Sequence, residues 1–174
     1  MKRVCAALSL ALVLVPTLTG AESPSAGEPS AGAPSRGEPS RGERSWSEID
    51  WFEGAAGYSA AVSEAEASGA SVLVYFYTEW CPYCRQLNNG LLSDPVVQDQ
   101  VGQMLAVRVN AEAGPEERSL AGHYQVRGYP ALFVYTSAQG GRFASIRRTV
   151  AEASGATRMK TAEEFVESLR ARLR

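Results

Sequence analysis

Three largely apolar runs, one of them broken by Arg108, alternate with stretches whose apolar positions recur at helical spacing. Val72-Leu73-Val74-Tyr75-Phe76-Tyr77 is β-branched and aromatic throughout, the composition of a strand covered on both faces. Met104 to Val109 and Ala131-Leu132-Phe133-Val134-Tyr135 read as a second and a third strand. Tyr58, Ala61, Val62 and Ala65 share one helical face, predicting a helix over about residues 55–68 that Gly69 stops. Arg85 to Asn89 tolerates helix. Ser93-Asp94-Pro95 resembles a cap with a first-turn proline, opening a short helix through Val101. Pro115-Glu116-Glu117 starts another, running towards Tyr124. Gln139-Gly140-Gly141 predicts a hairpin turn into a strand over Phe143–Val150. Thr161 and Glu164 form a capping box for a last helix whose apolar face carries Phe165, Val166 and Leu169. Trp46, Ile49, Trp51 and Phe52 read as apolar anchors against a sheet edge, and residues 151–160 as an irregular insertion. Alternating helices and strands, ending in a hairpin and a closing helix, predict a layered α/β domain.

The pattern changes at the start of the chain. Lys2 and Arg3 precede an apolar stretch, Val4 to Val15, broken only by Ser9, and Thr19-x-Ala21 offers small residues for cleavage. Residues 1–21 are therefore expected to be a signal peptide, with an uncleaved N-terminal anchor as the alternative. The stretch is shorter than the roughly 20 residues that span a bilayer, and no lipidation cysteine follows it. A periplasmic or secreted location is expected. Residues 22–44 repeat a Pro-Ser-Ala/Arg-Gly-Glu/Ala unit from Pro24, Pro29, Pro34 and Pro39. Without a large apolar side chain to offset ordering entropy, this segment reads as a flexible linker. Residues 45–174 then form one domain. A net charge of −2 argues against nucleic-acid binding, and Arg147-Arg148 and the C-terminal arginines read as solvated faces.

Chemistry concentrates in Trp80-Cys81-Pro82-Tyr83-Cys84, between the first strand and the helix-tolerant run. Cysteines three apart in the first turn of a helix have Cα atoms about 5 to 6 Å apart, within disulfide range. The first thiol also meets free backbone N–H groups and the positive end of the helix dipole, which favour its thiolate. That is the arrangement of a redox site, with Cys81 as nucleophile and Cys84, one turn deeper, as the resolving thiol. Two rivals stay open. Half a zinc site would need further ligands, and only Cys5 and His123 remain, Cys5 within the expected signal. A purely structural disulfide closing so short a loop would stabilise little. His123 itself reads as a helix-surface residue.

Glu79-Trp80-Cys81-x-x-Cys84, Val107-Arg108-Val109-Asn110 and Val126-Arg127-Gly128-Tyr129-Pro130 together resemble the thioredoxin superfamily over nearly all of 46–174. The opening Ile49-x-Trp51 and the Leu92-Ser93-Asp94-Pro95-x-Val97 segment resemble its exported reductases, such as the C-terminal periplasmic domain of the transmembrane disulfide-bond reductase. The resemblance implies an α/β thioredoxin-like fold with a central mixed β-sheet flanked by helices. It implies a cis Pro130 against a redox-active Cys81–Cys84 disulfide, with Tyr129 and Pro130 holding an extended substrate chain and Trp80 shielding one side. Tyr75 occupies the position where many thioredoxins bury an aspartate, and it cannot act as a base near neutral pH. Glu79 is the nearest carboxylate in sequence to take over proton transfer, while Arg108 stands where thioredoxins often carry lysine.

The implied activity is thiol:disulfide exchange, as a protein-disulfide reductase on substrates carrying disulfides. Electrons would come from a membrane thiol donor, with no cofactor and no metal, and a monomer is expected. The Pro82-Tyr83 pair is of the glutaredoxin type, yet no glutathione-binding cluster follows Gly140-Gly141. The alternatives are a net oxidant and a redox-inert or redox-controlled binding or chaperone module.

Overall fold

The computed structural model describes residues 46–137 and 140–174. The expected signal peptide with Cys5, the 22–44 linker and Gln139 of the hairpin turn lie outside the described residues. After a 3-10 turn at Trp46–Glu48 come β1 (Trp51–Glu53), α1 (Gly54–Ser68), β2 (Ser71–Tyr77) and α2 (Pro82–Asn89). A second 3-10 turn, Leu91–Ser93, leads to α3 (Pro95–Val101), β3 (Leu105–Asn110) and α4 (Pro115–His123). The chain closes with β4 (Ala131–Thr136), β5 (Arg142–Ile146), β6 (Thr149–Ala151), β7 (Thr157–Met159) and α5 (Ala162–Leu173).

The main sheet has the order β1-β3-β2-β4-β5, with β1, β3 and β2 parallel and β4 and β5 antiparallel. β2 is central, paired with β3 on one side and β4 on the other. Its side chains alternate between two cores, as the two-residue strand period requires. Leu73 and Tyr75 pack on one side with Leu87, Leu92, Val97, Phe165 and Leu169. Val72, Val74 and Phe76 pack on the other with Ala61, Ala65, Val107, Val109 and Tyr124. The sheet thus lies between α2, α3 and α5 on one face and α1 and α4 on the other.

Local signals set most boundaries. Gly69 adopts a left-handed conformation (φ 77°) and its N–H returns to the Ala65 carbonyl, closing α1. Asp94 caps α3, accepting the Val96 N–H, with Pro95 in the first turn as expected. In α5 the Thr161 hydroxyl accepts the Glu164 N–H at 3.3 Å, while the Glu164 carboxylate accepts the Thr161 N–H at 2.9 Å. The start of α1 has no cap of its own, and the Glu117 carboxylate of α4 supplies one by accepting the Ala55 N–H at 3.1 Å. Gln100 of α3, buried, is satisfied by the Arg170 guanidinium of α5 at 2.7 Å.

Three expectations need correction. The anchors around Trp51 are a strand in their own right, since β1 pairs with β3 through Trp51–Ala106 to Glu53–Arg108. The final strand ends at Ile146, not Val150. Residues 151–160 are not irregular, because β6 and β7 form a separate antiparallel ribbon turned at Gly155 (φ 83°). Each of these strands except β5 is three residues long, too short to display a period.

α1 lies close against β1. A Cβ placed on Gly57 would stand 2.8 Å from the Phe52 carbonyl carbon, a backbone atom that cannot swing aside. Gly57→Ala is therefore expected to destabilise the fold by about 1–3 kcal/mol through overpacking, despite a helix-propensity gain of about 1 kcal/mol. A lowered urea midpoint with unchanged slope would register it, and an unchanged or raised midpoint would refute the close approach.

Candidate active site

The carboxyl ends of β2 and β3 and the segment entering β4 converge on the start of α2. β2 ends at Tyr77, and Thr78-Glu79-Trp80 then turns the chain so that Cys81 becomes the N-cap of α2, with Pro82 in the first turn. Its sulfur accepts the Cys84 backbone N–H at 3.2 Å, a first-turn amide that it shares with the Cys81 carbonyl oxygen, also at 3.2 Å. The two cysteines are unbridged, and both are only 2% exposed. A helix-start cysteine is expected to be open to solvent. Instead the Cys81 sulfur sits in the same apolar cluster as Cys84, with Tyr129 packed against that cluster. Burial, and next its hydrogen bond with Cys81, push the Cys84 thiol up to about 12.

Tyr129 and Pro130 lead into β4, and the peptide bond between them is cis. The Trp80 ring meets the Tyr129 ring edge-on at 6.4 Å, and its indole N–H donates to the Glu112 carboxylate at 3.0 Å. Trp80 and Tyr83 are the most exposed of the large hydrophobic side chains described, at 62% and 56%, one just before Cys81 and the other between the two cysteines in the chain. The Arg148 guanidinium lies 5.0 Å from the Tyr83 ring centroid, held from behind by the Met159 sulfur at 3.0 Å. The rim is thus aromatic, with a cation on one side and a carboxylate on the other.

Beneath the rim, the Tyr75 hydroxyl donates to the buried Asn88 carbonyl oxygen at 3.0 Å. Burial holds the Tyr75 phenol far above its ordinary range, so it stays protonated. Asn88 is four residues past Cys84, and therefore on the same face of α2. A cavity of about 230 Å³ opens beside Cys84, lined also by Thr78, Glu79, Asn88 and Arg108. The Thr78 hydroxyl is buried there without a hydrogen-bond partner among the described residues. Glu79 is exposed and accepts from the Asn110 side-chain amide at 3.4 Å. Arg108, half-buried, pairs with Glu53 at 2.5 Å and lies 4.6 Å from the Trp46 ring centroid, so its guanidinium is engaged by a carboxylate and a ring.

Of the residues expected from the sequence, Glu79 and Cys84 share one cavity, the Cys81 sulfur accepts the Cys84 N–H, the Trp80 ring meets the Tyr129 ring, and Pro130 follows Tyr129 across the cis bond. His123 lies apart, exposed on α4 against Tyr124 and Phe143. Asn88, Glu112 and Arg148 join the site without having been expected there. The i+4 spacing from Cys84 is a signal that points to Asn88, whereas no local signal links Trp80 to Glu112 or Tyr83 to Arg148. Among the described residues, no group of three or more His, Cys, Asp or Glu side chains is placed to hold a metal ion.

Residues 58–166 match the thioredoxin-like domain family. The chain belongs to that family. The thiol:disulfide interchange protein DsbD 1 of Pseudomonas aeruginosa is 33% identical to this thioredoxin-like chain over 98 residues, 56% of the chain and 16% of that protein. The DsbD of Salmonella paratyphi A is 34% identical over 77 residues, 44% of the chain and 13% of that protein. The thioredoxin-like chain spans about one sixth or less of the length of these curated relatives. A thioredoxin from Thermus thermophilus superposes with a TM-score of 0.53 at 28% identity, covering 71% of this chain and 85% of that one. The reduced C-terminal domain of Neisseria meningitidis DsbD superposes with a TM-score of 0.55 at 23% identity, covering 71% and 99%. That second likeness speaks for the fold alone. The thioredoxin-like fold, a mixed sheet flanked by helices, therefore stands on sequence and on structure. No helix among the described residues is long and apolar enough to cross a membrane.

Proposed function

We propose that the chain is an exported thiol:disulfide oxidoreductase that reduces disulfides of periplasmic proteins. The observation that supports this most is the seat of Cys81, whose sulfur accepts an amide N–H at the helix start beside a second cysteine one turn deeper. In the proposed cycle the Cys81 thiolate attacks one sulfur of a substrate disulfide. A Cys81–substrate disulfide forms, and the other substrate sulfur leaves as a thiolate that takes a proton from solvent. Cys84 then gives up its proton and attacks the Cys81 sulfur. The Cys81–Cys84 disulfide forms, the second substrate thiol is released, and two electrons have passed to the substrate. Trp80, Tyr129 and Pro130 hold the substrate chain beside Cys81.

Cys84 needs help to ionise, because burial keeps its thiol near 12. Glu79 is proposed to receive that proton, since it is the carboxylate residue lining the cavity beside Cys84 and Tyr75 offers no base there. A cavity of about 230 Å³ has room for several waters, each occupying about 30 Å³ in the liquid, to bridge the gap. A membrane thiol carrier would return the two electrons in vivo. DsbD itself is named for thiol:disulfide interchange, and the proposal carries that class of reaction over to this chain. The exported location rests on residues 1–21, and the reach of a monomeric head domain, residues 45–174, on the 22–44 linker.

An insulin-reduction assay with dithiothreitol tests the reading, together with a potential measured against glutathione buffers. Turnover and a potential between about −270 and −200 mV are expected. A value near −120 mV would make the protein an oxidant, and no turnover by a normally folded protein would leave a binding module. In the same assay Glu79→Gln should slow release of the mixed disulfide without slowing its formation. An unchanged release rate would remove Glu79 from proton transfer.

A further inference from the structure

Arg147, Lys160 and Arg172 are far apart in sequence: one follows β5, one precedes the capping box of α5, and one lies in the last turn of α5. The fold brings all three to one cavity of about 470 Å³, together with Ser145 and Ser168. No carboxylate lines it. Lys160 is half-buried, and its ammonium donates to the Ser168 hydroxyl at 2.5 Å. That hydroxyl in turn donates to the Glu164 carbonyl oxygen at 2.7 Å, so the lysine is fixed along the helix. The nearest counter-charge, the Glu164 carboxylate, is engaged through both oxygens by Arg158 at 2.7 Å. Among the described residues, neither Arg147 nor Arg172 has an ion-pair partner. Lys160 feels this company. Burial lowers its affinity for a proton most, and the charges of Arg147 and Arg172 lower it further against the opposing pull of Glu164.

Three cations drawn together around a concavity repel one another and contribute nothing to folding by themselves. An anion placed between them reverses the sign of that interaction, and planar guanidinium groups suit the oxygens of a phosphate. Ser145 adds a neutral hydroxyl donor at the same place, whereas the Ser168 hydroxyl is already committed to the Glu164 carbonyl and to Lys160. We propose that this cavity binds a phosphate-class oxyanion, either free in solution or as the headgroup of an anionic lipid. The site stands apart from the proposed redox chemistry and needs no cysteine.

Calorimetric titration of the full chain with inorganic pyrophosphate, at fixed ionic strength, tests the free form. Cosedimentation with phosphatidylcholine vesicles, with and without phosphatidylglycerol, tests the lipid form. Saturable pyrophosphate binding, weakened about tenfold in Lys160→Gln and again in Arg172→Gln, would support the site with a free anion as ligand. Sedimentation only with phosphatidylglycerol, lost in the same variants, would support it with a lipid headgroup. Arg172 is exposed on the last turn of α5, so Arg172→Gln keeps the test open should Lys160→Gln loosen the helix. The absence of both responses, or binding unchanged in both variants, would overturn the proposal.

Discussion

Replacing Cys81 with serine is expected to abolish the proposed disulfide reduction, lowering turnover by about a thousandfold or more, whereas Cys84→Ala should stall the protein after its first step. Exposure does not separate the two sulfurs, since both are 2% exposed. Their electrostatic settings do. Cys81 caps α2 and its sulfur receives a backbone N–H, an interaction that stabilises negative charge on sulfur. Cys84 lies a turn inside, where burial opposes its ionisation and its thiol is pushed up to about 12. The first attack should therefore belong to Cys81, and Cys84→Ala should accumulate a mixed disulfide with a cystine-containing peptide. Non-reducing electrophoresis and mass spectrometry of the adduct would check this. An adduct forming on Cys81→Ala instead would reverse the two roles. Unchanged circular dichroism in both variants would keep the comparison clean.

In a Cys81→Ala background the folded protein should lose stability as pH rises from about 9, the ordinary thiol value, towards about 12. The sign follows from linkage. Cys84 is an acid whose folded-state pKa is raised, so its contribution is present in full below the unfolded value and is lost as pH climbs towards the folded one. Each unit by which the folded value exceeds the unfolded one is worth about 1.4 kcal/mol, so a loss of about that size is expected between pH 8 and pH 10. Removing Cys81 takes away the second cause of the shift but leaves burial, the first. Tyr75 and Tyr124, also raised by burial, act in the same direction from about pH 10 upward. Both phenols remain when Cys84 is removed, but Cys84 is itself a lesser cause of the Tyr75 shift, so subtracting urea midpoints of Cys81→Ala/Cys84→Ala isolates the thiol below about pH 10, before the unfolded phenols ionise. Equal pH dependence in the two proteins would mean that Cys84 ionises as freely when folded as when unfolded.

Elements with strong local signals are legible in the amino-acid order. The β2 run is apolar on both faces because it lies at the centre of the sheet, and its composition records that burial directly. Gly69 and the Thr161–Glu164 box each mark a helix end through chemistry confined to a few residues. The helix-start setting of Cys81 is legible for the same reason, since a cysteine, a proline and a second cysteine one turn on are a local pattern. β1, β6 and β7 are not legible in this way. Each spans three residues, and pairing with a distant or solvent-exposed partner, rather than propensity, makes them strands.

The order of apolar runs, caps and paired cysteines is enough to specify the layered α/β architecture and the place of the thiols at a strand-to-helix join, because those depend on neighbours within a turn or two. What surrounds the thiols is settled only by three-dimensional packing. Tyr75 on Asn88, Arg108 on Glu53, Trp80 on Glu112 and Arg148 on Tyr83 join residues 13 to 65 positions apart. Side chains so separated meet where the sheet and helices press together, and no one segment of the chain specifies such a meeting. The gathering of Arg147, Lys160 and Arg172 around one cavity is the same effect. A sequence displays each charge with its own neighbours, and only folding brings like charges together.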